Sequence, residues 1–272
     1  MSNLTQRIIT AVIGASLVIS AILYSEFTFL LLLVLIALLG VYEFFGLLRH
    51  NGIQPQVLPG MLLAALPFLS PILASGAGIP LNLLPLAIVL PYILFIRELY
   101  TKAEKPFTNV GMTLLGPIYL AFPLFLFYLY AFQASPDDTY RPEIVLGYLF
   151  ILWSNDTGAY FTGRFLGKRK LFERISPKKT WEGFFGGMAL SLVVAAIISR
   201  FYTSFDLQTW MIIALIITTT GTLGDLVESC FKRSIAIKDS GQLLPGHGGI
   251  LDRFDALYIS VPFVFFYLFY FH

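Results

Sequence analysis

Residues 208–255 read QTWMIIALIITTTGTLGDLVESCFKRSIAIKDSGQLLPGHGGILDRFD: an apolar helix that gains polar groups along its length and then breaks into a loop dense in charge and glycine. At 100° per residue, Thr218, Thr222, Asp225, Ser229 and Lys232 fall on one stripe, with Glu228 beside it. A stripe that deepens toward one end predicts the wall of a polar cavity. An interhelical hydrogen-bond seam is the plainer alternative, but two carboxylates and a lysine fit it less well than hydroxyls alone would.

The remainder of the chain sets the solvent in which that cavity forms. Of 272 residues, 57% are hydrophobic and only 12% charged, and mean hydropathy is +0.78. Soluble domains carry about 25% charge, so the composition predicts an all-α integral membrane protein. Apolar runs of bilayer length, about 20 residues, occur near 7–24, 27–48, 56–75, 79–97, 110–132, 143–163, 183–201, 208–230 and 256–272, which predicts about nine transmembrane helices. No small-residue cleavage site follows the first run, so it is expected to be a retained helix.

With the N-terminus inside, every lysine and arginine except Arg141 and Arg200 falls on the cytoplasmic side, the asymmetry that orients membrane proteins. The 229–255 cluster is then cytoplasmic, and the polar cavity opens to the cytoplasm. No flexible linker or internal repeat divides the chain, so residues 1–272 are expected to form a single membrane domain. Its first part, 1–135, is mainly structural and lipid-facing, and 136–272 is the functional half.

That half carries three further polar insertions. The sixth span contains Ser154-Asn155-Asp156-Thr157, and an aspartate near a helix centre costs about 2.5–3.5 kcal/mol on insertion scales. Asp156 therefore needs a cationic partner or a wet cavity. The loop at 167–183, GKRKLFERISPKKTWEG, holds six basic residues. There Ser176-Pro177 reads as an N-cap followed by proline at the first helical position, which would put Lys178 and Lys179 at a helix N-terminus suited to phosphate. The ninth span opens on Gly246-His247-Gly248-Gly249-Ile250-Leu251-Asp252-Arg253-Phe254-Asp255. Asp252 and Asp255, three residues apart, project to one helix face where they can share a hard cation such as Mg²⁺. The glycines allow backbone N–H groups to approach an anion, and Arg253 can take phosphate or neutralise an acid. His247 reads as a hydrogen-bonding loop residue or a metal or phosphate contact rather than a base. Three dispersed histidines and one cysteine form no zinc set, and Cys230 reads as a small buried thiol.

The stretch Ser229 to Asp255 resembles the signature of phosphatidate cytidylyltransferase, also called CDP-diacylglycerol synthase. The matching positions are Ser229, Lys232-Arg233, Lys238-Asp239, Gly241, Leu244-Pro245, His247-Gly248-Gly249, Asp252-Arg253 and Asp255. Asp156-Thr157-Gly158-Ala159-Tyr160, Ser176 through Gly183, and Gly224-Asp225 are also similar to that family, so the likeness spans roughly 150–255.

The resemblance implies a nucleotidyltransferase of phospholipid biosynthesis, with its active site facing the cytoplasm of a bacterial inner membrane. It would transfer cytidylyl from CTP to phosphatidic acid, giving CDP-diacylglycerol and pyrophosphate. It further implies that Asp225, Asp252 and Asp255 hold Mg²⁺, alone or with a second cation, and that Lys232, Arg233, Lys238, Asp239 and Arg253 complete the catalytic set. Substrate would be bound by Asp156, Ser176, Lys178, Lys179, Ser229, His247, Gly248 and Gly249. The partners are the two substrates and the bilayer, with no nucleic acid; membrane enzymes of this size often pair, so a homodimer is expected. The alternatives are an ion-coupled transporter using Asp156 and Asp225 as coupling sites, or another Mg²⁺-dependent lipid-phosphate transferase. The absent repeat argues against the first and the carboxylate spacing against the second.

Overall fold

A computed structural model describes residues 3–77, 84–133, 139–237, 240–241 and 248–272. The chain is overwhelmingly helical: α1 Asn3–Tyr24, α2 Glu26–His50, α3 Val57–Ala77, α4 Leu84–Glu98, α5 Pro106–Gly116, a π-helical turn Pro117–Ala121, α6 Phe122–Tyr130, α7 Pro142–Leu166, α8 Trp181–Phe201, α9 Leu207–Ser234 and α10 Leu251–Phe271. Among the described residues, five stretches are long and apolar enough to cross a membrane: Glu26–His50, Pro106–Tyr130, Trp181–Phe201, Leu207–Ser234 and Leu251–Phe271. Shorter apolar helices cover Thr10–Tyr24 and Val57–Leu73. These helices make it an integral membrane protein, and each predicted span overlaps a helix.

Local chemistry sets several helix boundaries. The Ser25 side chain accepts the Thr28 N–H while Thr28 Oγ1 accepts the Ser25 N–H, a reciprocal cap that starts α2 directly after α1. Pro117 cannot donate to the helical ladder, and the widened π turn that it begins lets α5 and α6 continue as one stretch. Asp206 caps α9 by accepting the Thr209 N–H at 2.8 Å. Hydrogen bonds from the Thr209 side chain and backbone hold the Asp206 carboxyl below its ordinary value.

The chain forms two compact units, Met1–Phe125 with Asp239–Arg253, and Leu126–Lys238 with Phe254–His272. In the first, α2 packs against α1, α3 and the π turn. The Phe45 ring fills the space that a side chain at Gly60 or Gly116 would occupy. In the second, α7 lies against α8 and both pack on α9. A Cβ on Gly158 would sit 2.8 Å from the Gly186 carbonyl oxygen, so α7 and α8 meet backbone to backbone, as small residues permit in lipid. Tyr148 and Ser260 share a buried 2.5 Å hydrogen bond that ties α7 to α10.

A two-stranded antiparallel hairpin, β1 Lys170–Phe172 and β2 Ser176–Thr180, joins α7 to α8. This corrects the reading of Ser176-Pro177 as a helix start. The cap of α8 is Thr180, whose Oγ1 accepts the Gly183 N–H at 3.1 Å. Glu182 holds the other end of the loop by accepting the Lys168 and Arg169 N–H groups. Ser176, Lys178 and Lys179 therefore lie on an extended strand. Cys230 is also corrected, because its thiol is exposed on the surface of α9 rather than buried.

Candidate active site

The second unit brings four acids and two lysines together. In a strand, successive side chains point to opposite faces, so Lys178 and Lys179 cannot share a direction. Lys178 is exposed, whereas the half-buried Lys179 places Nζ 2.5 Å from Asp225 Oδ2. Asp225 is oriented from its other oxygen by Ser229, one helical turn on, whose Oγ donates to Oδ1 at 3.2 Å. Glu228 is only 2% exposed and pairs with Lys232 at 2.7 Å, again one turn apart. Asp255 accepts the Ala256 N–H at 2.7 Å. Asp156 on α7 lies close enough to feel the charges of Lys179 and Asp225.

Backbone approach creates this cluster. A Cβ on Gly224 would stand 2.6 Å from the Asp255 carbonyl oxygen, so only glycine there lets α9 come close enough for Asp225 to reach Asp255. Asp225, Glu228 and Asp255 each offer an oxygen within 4.8 Å of the others. Opposite corners of a Mg²⁺ octahedron at about 2.1 Å lie about 4.2 Å apart, so the three oxygens nearly match a hard cation's span. Three carboxylates beside two ammonium groups leave an excess negative charge, which Asp156 increases. The donor set therefore fits a divalent cation in both chemistry and charge.

The first unit holds the glycine loop that precedes α10. Gly248 has φ +82°, a left-handed conformation open to glycine at little cost. Asp252 Oδ2 accepts the Ser240 and Gly249 N–H groups, each at 3.2 Å, and so ties both to the first turn of its own helix. Glu43, 7% exposed in the middle of apolar α2, accepts the Leu251 N–H at 3.1 Å. A side chain at Gly241 or Gly249 would collide with its carboxylate. A glutamate distant in sequence thus caps the helix that begins at Leu251.

Of the remaining sequence-derived candidates, Arg233 and Arg253 are exposed, and Arg233 Nη1 donates to the Ile237 carbonyl at 3.2 Å. Ser176 is half-buried on β2. Lys238, Asp239 and His247 lie outside the described residues. Glu43 lies outside the sequence reading of the site, and Glu228 stands in it only beside the polar stripe of α9, with no metal role. For each a signal existed, namely an ionisable side chain inside an apolar helix.

Glu43 carries a specific expectation. Glu43→Leu strands a buried N–H at about 1–3 kcal/mol, and it should lower both the thermal stability in detergent and the turnover. Glu43→Gln keeps an acceptor oxygen and should recover most of each. Equal losses in the two variants would mean that the charge, not the cap, is what matters.

A helical membrane protein with a carboxylate cluster, paired lysines and a glycine loop at a helix start has the parts of an enzyme acting on phosphates at a bilayer surface. The chain matches the Cytidylyltransferase family over residues 5–271 and belongs to that family. It is 35% identical over 277 residues to a phosphatidate cytidylyltransferase of Bacillus subtilis, covering 98% of both chains. It is 36% identical over 260 residues to the protein of the same name from Staphylococcus haemolyticus, covering 94% of this chain and 95% of that one. The Staphylococcus aureus protein of that name is 33% identical over 260 residues.

Proposed function

We propose that this enzyme transfers cytidylyl from CTP to phosphatidic acid, releasing pyrophosphate and leaving CDP-diacylglycerol in the membrane. The observation that carries the reading is the grouping of Lys179, Asp225, Glu228 and Asp255, set in a chain that aligns end to end with phosphatidate cytidylyltransferases.

A phosphate monoester is largely a dianion at neutral pH, its second pKa being about 6, so the nucleophile needs no strong protein base. A phosphatidate oxygen bonds to the α-phosphorus of CTP, and the bond from that phosphorus to the bridging oxygen breaks, with pyrophosphate carrying away the electron pair. The barrier is the approach of one anion to another. Lys179 and Lys232 bring positive charge to the site, while Ser229 holds the orientation of Asp225. Arg233 and Arg253 are exposed cations suited to the outer phosphates of the nucleotide, whereas Lys178 faces away from the cluster on β2. Asp225, Glu228 and Asp255 would hold Mg²⁺, which when bound neutralises phosphate charge and draws electron density from phosphorus. Asp252 acts through the loop that it hydrogen-bonds, presenting Gly248 and Gly249 to substrate phosphate, with Asp239 and His247 in the same segment. The acyl chains stay in the bilayer.

In this reading the chain crosses the bacterial inner membrane with nine spans and its polar cavity opens to the cytoplasm. It works with one Mg²⁺ or with a second cation, and it pairs as a homodimer. One experiment tests activity and orientation together. Inverted membrane vesicles supplied with phosphatidate, Mg²⁺ and each nucleoside triphosphate in turn should release pyrophosphate with CTP, and right-side-out vesicles should not. Release driven equally by other triphosphates would remove the cytidylyl assignment, and equal activity in both vesicle types would remove the orientation. Light scattering of the detergent-corrected particle tests the dimer.

A further inference from the structure

The first unit contains a cavity of about 640 Å³ lined by Arg49, Arg97, Gln56, Glu98, Asn109 and the start of α3. None of these residues belongs to the acidic cluster or to the glycine loop. Beneath it runs a buried polar network. Arg97 Nη1 donates to Gln56 Oε1 at 3.0 Å, and Gln56 Nε2 donates to Glu98 Oε2 at 2.7 Å. Asn109 Nδ2 donates to Glu98 Oε1 at 3.0 Å, and the Gln54 N–H donates to Asn109 Oδ1 at 2.9 Å.

Such a network fixes the wall of the cavity. Both oxygens of the buried Glu98 are held by neutral amides, so its charge is satisfied without capturing a guanidinium. Arg97 is anchored through one nitrogen only, and both it and Arg49 are exposed. Val57 and Leu58 also line the cavity as the first residues of α3. First-turn N–H groups have no intrahelical acceptor, and a helix N-terminus favours an anion.

An arginine in the last turn of α2 or α4 has a simple use, offsetting the negative end of its own helix. That use explains neither a cavity of this size nor the convergence of two arginines on the N-terminus of a third helix. Around it Leu58 is 71%, Leu99 81% and Phe107 78% exposed, as acyl-chain contacts would be, beside the exposed charges of Lys102, Glu104 and Lys105. In the orientation proposed above, Arg49 and Arg97 both lie at the cytoplasmic boundary, where lipid phosphates lie.

We propose that this cavity binds the phosphate of an anionic phospholipid headgroup, with Arg49 and Arg97 as its charge partners and the first turn of α3 as an additional donor. The site is a lipid-binding site of the N-terminal part of the chain, and it needs no assumption about the reaction.

Native mass spectrometry of the purified full-length protein tests it, using phosphatidylglycerol, phosphatidylcholine and inorganic phosphate as probes. Phosphatidylglycerol should be retained where phosphatidylcholine is not, and excess inorganic phosphate should fail to displace it. Arg49→Gln with Arg97→Gln should reduce retention at least about tenfold, as loss of charge-assisted hydrogen bonds implies. Arg49→Gln alone leaves the Gln56–Glu98–Asn109 network intact and should reduce retention in part, which keeps the test valid if the double variant is unstable. Undiminished retention in Arg49→Gln and in a folded double variant overturns the proposal. Displacement by inorganic phosphate overturns the lipid as occupant and leaves a small-anion site.

Discussion

Asp225→Asn and Asp255→Asn each lower kcat by at least about 10²-fold, the usual cost of removing one electrostatic stabiliser from a preorganised site. Asparagine preserves shape and removes the charge that would hold a cation. The structure adds Glu228 to the set, since its oxygen lies with those of the two aspartates. Glu228→Gln should therefore also weaken the response to Mg²⁺, seen as a higher Mg²⁺ concentration for half-maximal turnover. Combining two of the changes should cost much less than the product of the single effects, because residues acting as one unit are non-additive. Asp206→Asn is the control: asparagine caps a helix about as well as aspartate, and Asp206 needs only to accept the Thr209 N–H. Near-normal Mg²⁺-dependent turnover in both aspartate variants would falsify the metal assignment.

Lys179→Gln lowers kcat/KM by about 10²-fold, whereas Lys178→Gln changes it by less than about tenfold. The reason is geometric: Lys179 meets Asp225 in a partly enclosed site, while Lys178 points from the opposite face of β2 into solvent, where a single charge is well screened. Replacing Lys168, Arg169 and Lys170 together with glutamine should resemble Lys178→Gln. Steady-state kinetics with CTP and phosphatidate varied separately would check this. Equal losses in Lys178→Gln and Lys179→Gln would mean that a diffuse basic surface suffices.

The positions of these residues in the chain were legible in advance to different degrees. Period and length placed the helices, because an apolar run of about 20 residues has few other stable forms in a bilayer. The stripe on α9 was readable from its 100° spacing, and the structure puts Asp225, Ser229 and Lys232 into one connected set with Glu228. Ser176-Pro177, which the sequence alone suggests as a helix start, lies in a strand. Serine before proline suits either a cap or an extended residue, and pairing with Lys170–Phe172 decided for the strand. Burial of Cys230 was inferred from residue type alone, yet its side of α9 is an exposed one.

Composition, hydropathy and charge asymmetry by themselves determined that the chain is a helical membrane protein, and the signature at 229–255 pointed to its family. Those properties are additive along the chain, so no contact need be known to read them. Tertiary structure alone decided which of two adjacent lysines meets Asp225, that Glu228 joins Asp225 and Asp255, and that Glu43 caps α10 from 208 residues away. The last two depend on close approach between distant segments, of the Asp255 backbone to Gly224 and of the Glu43 carboxylate to Gly249. Sequence spacing carries no record of such approaches, because it is the packed interior that selects them.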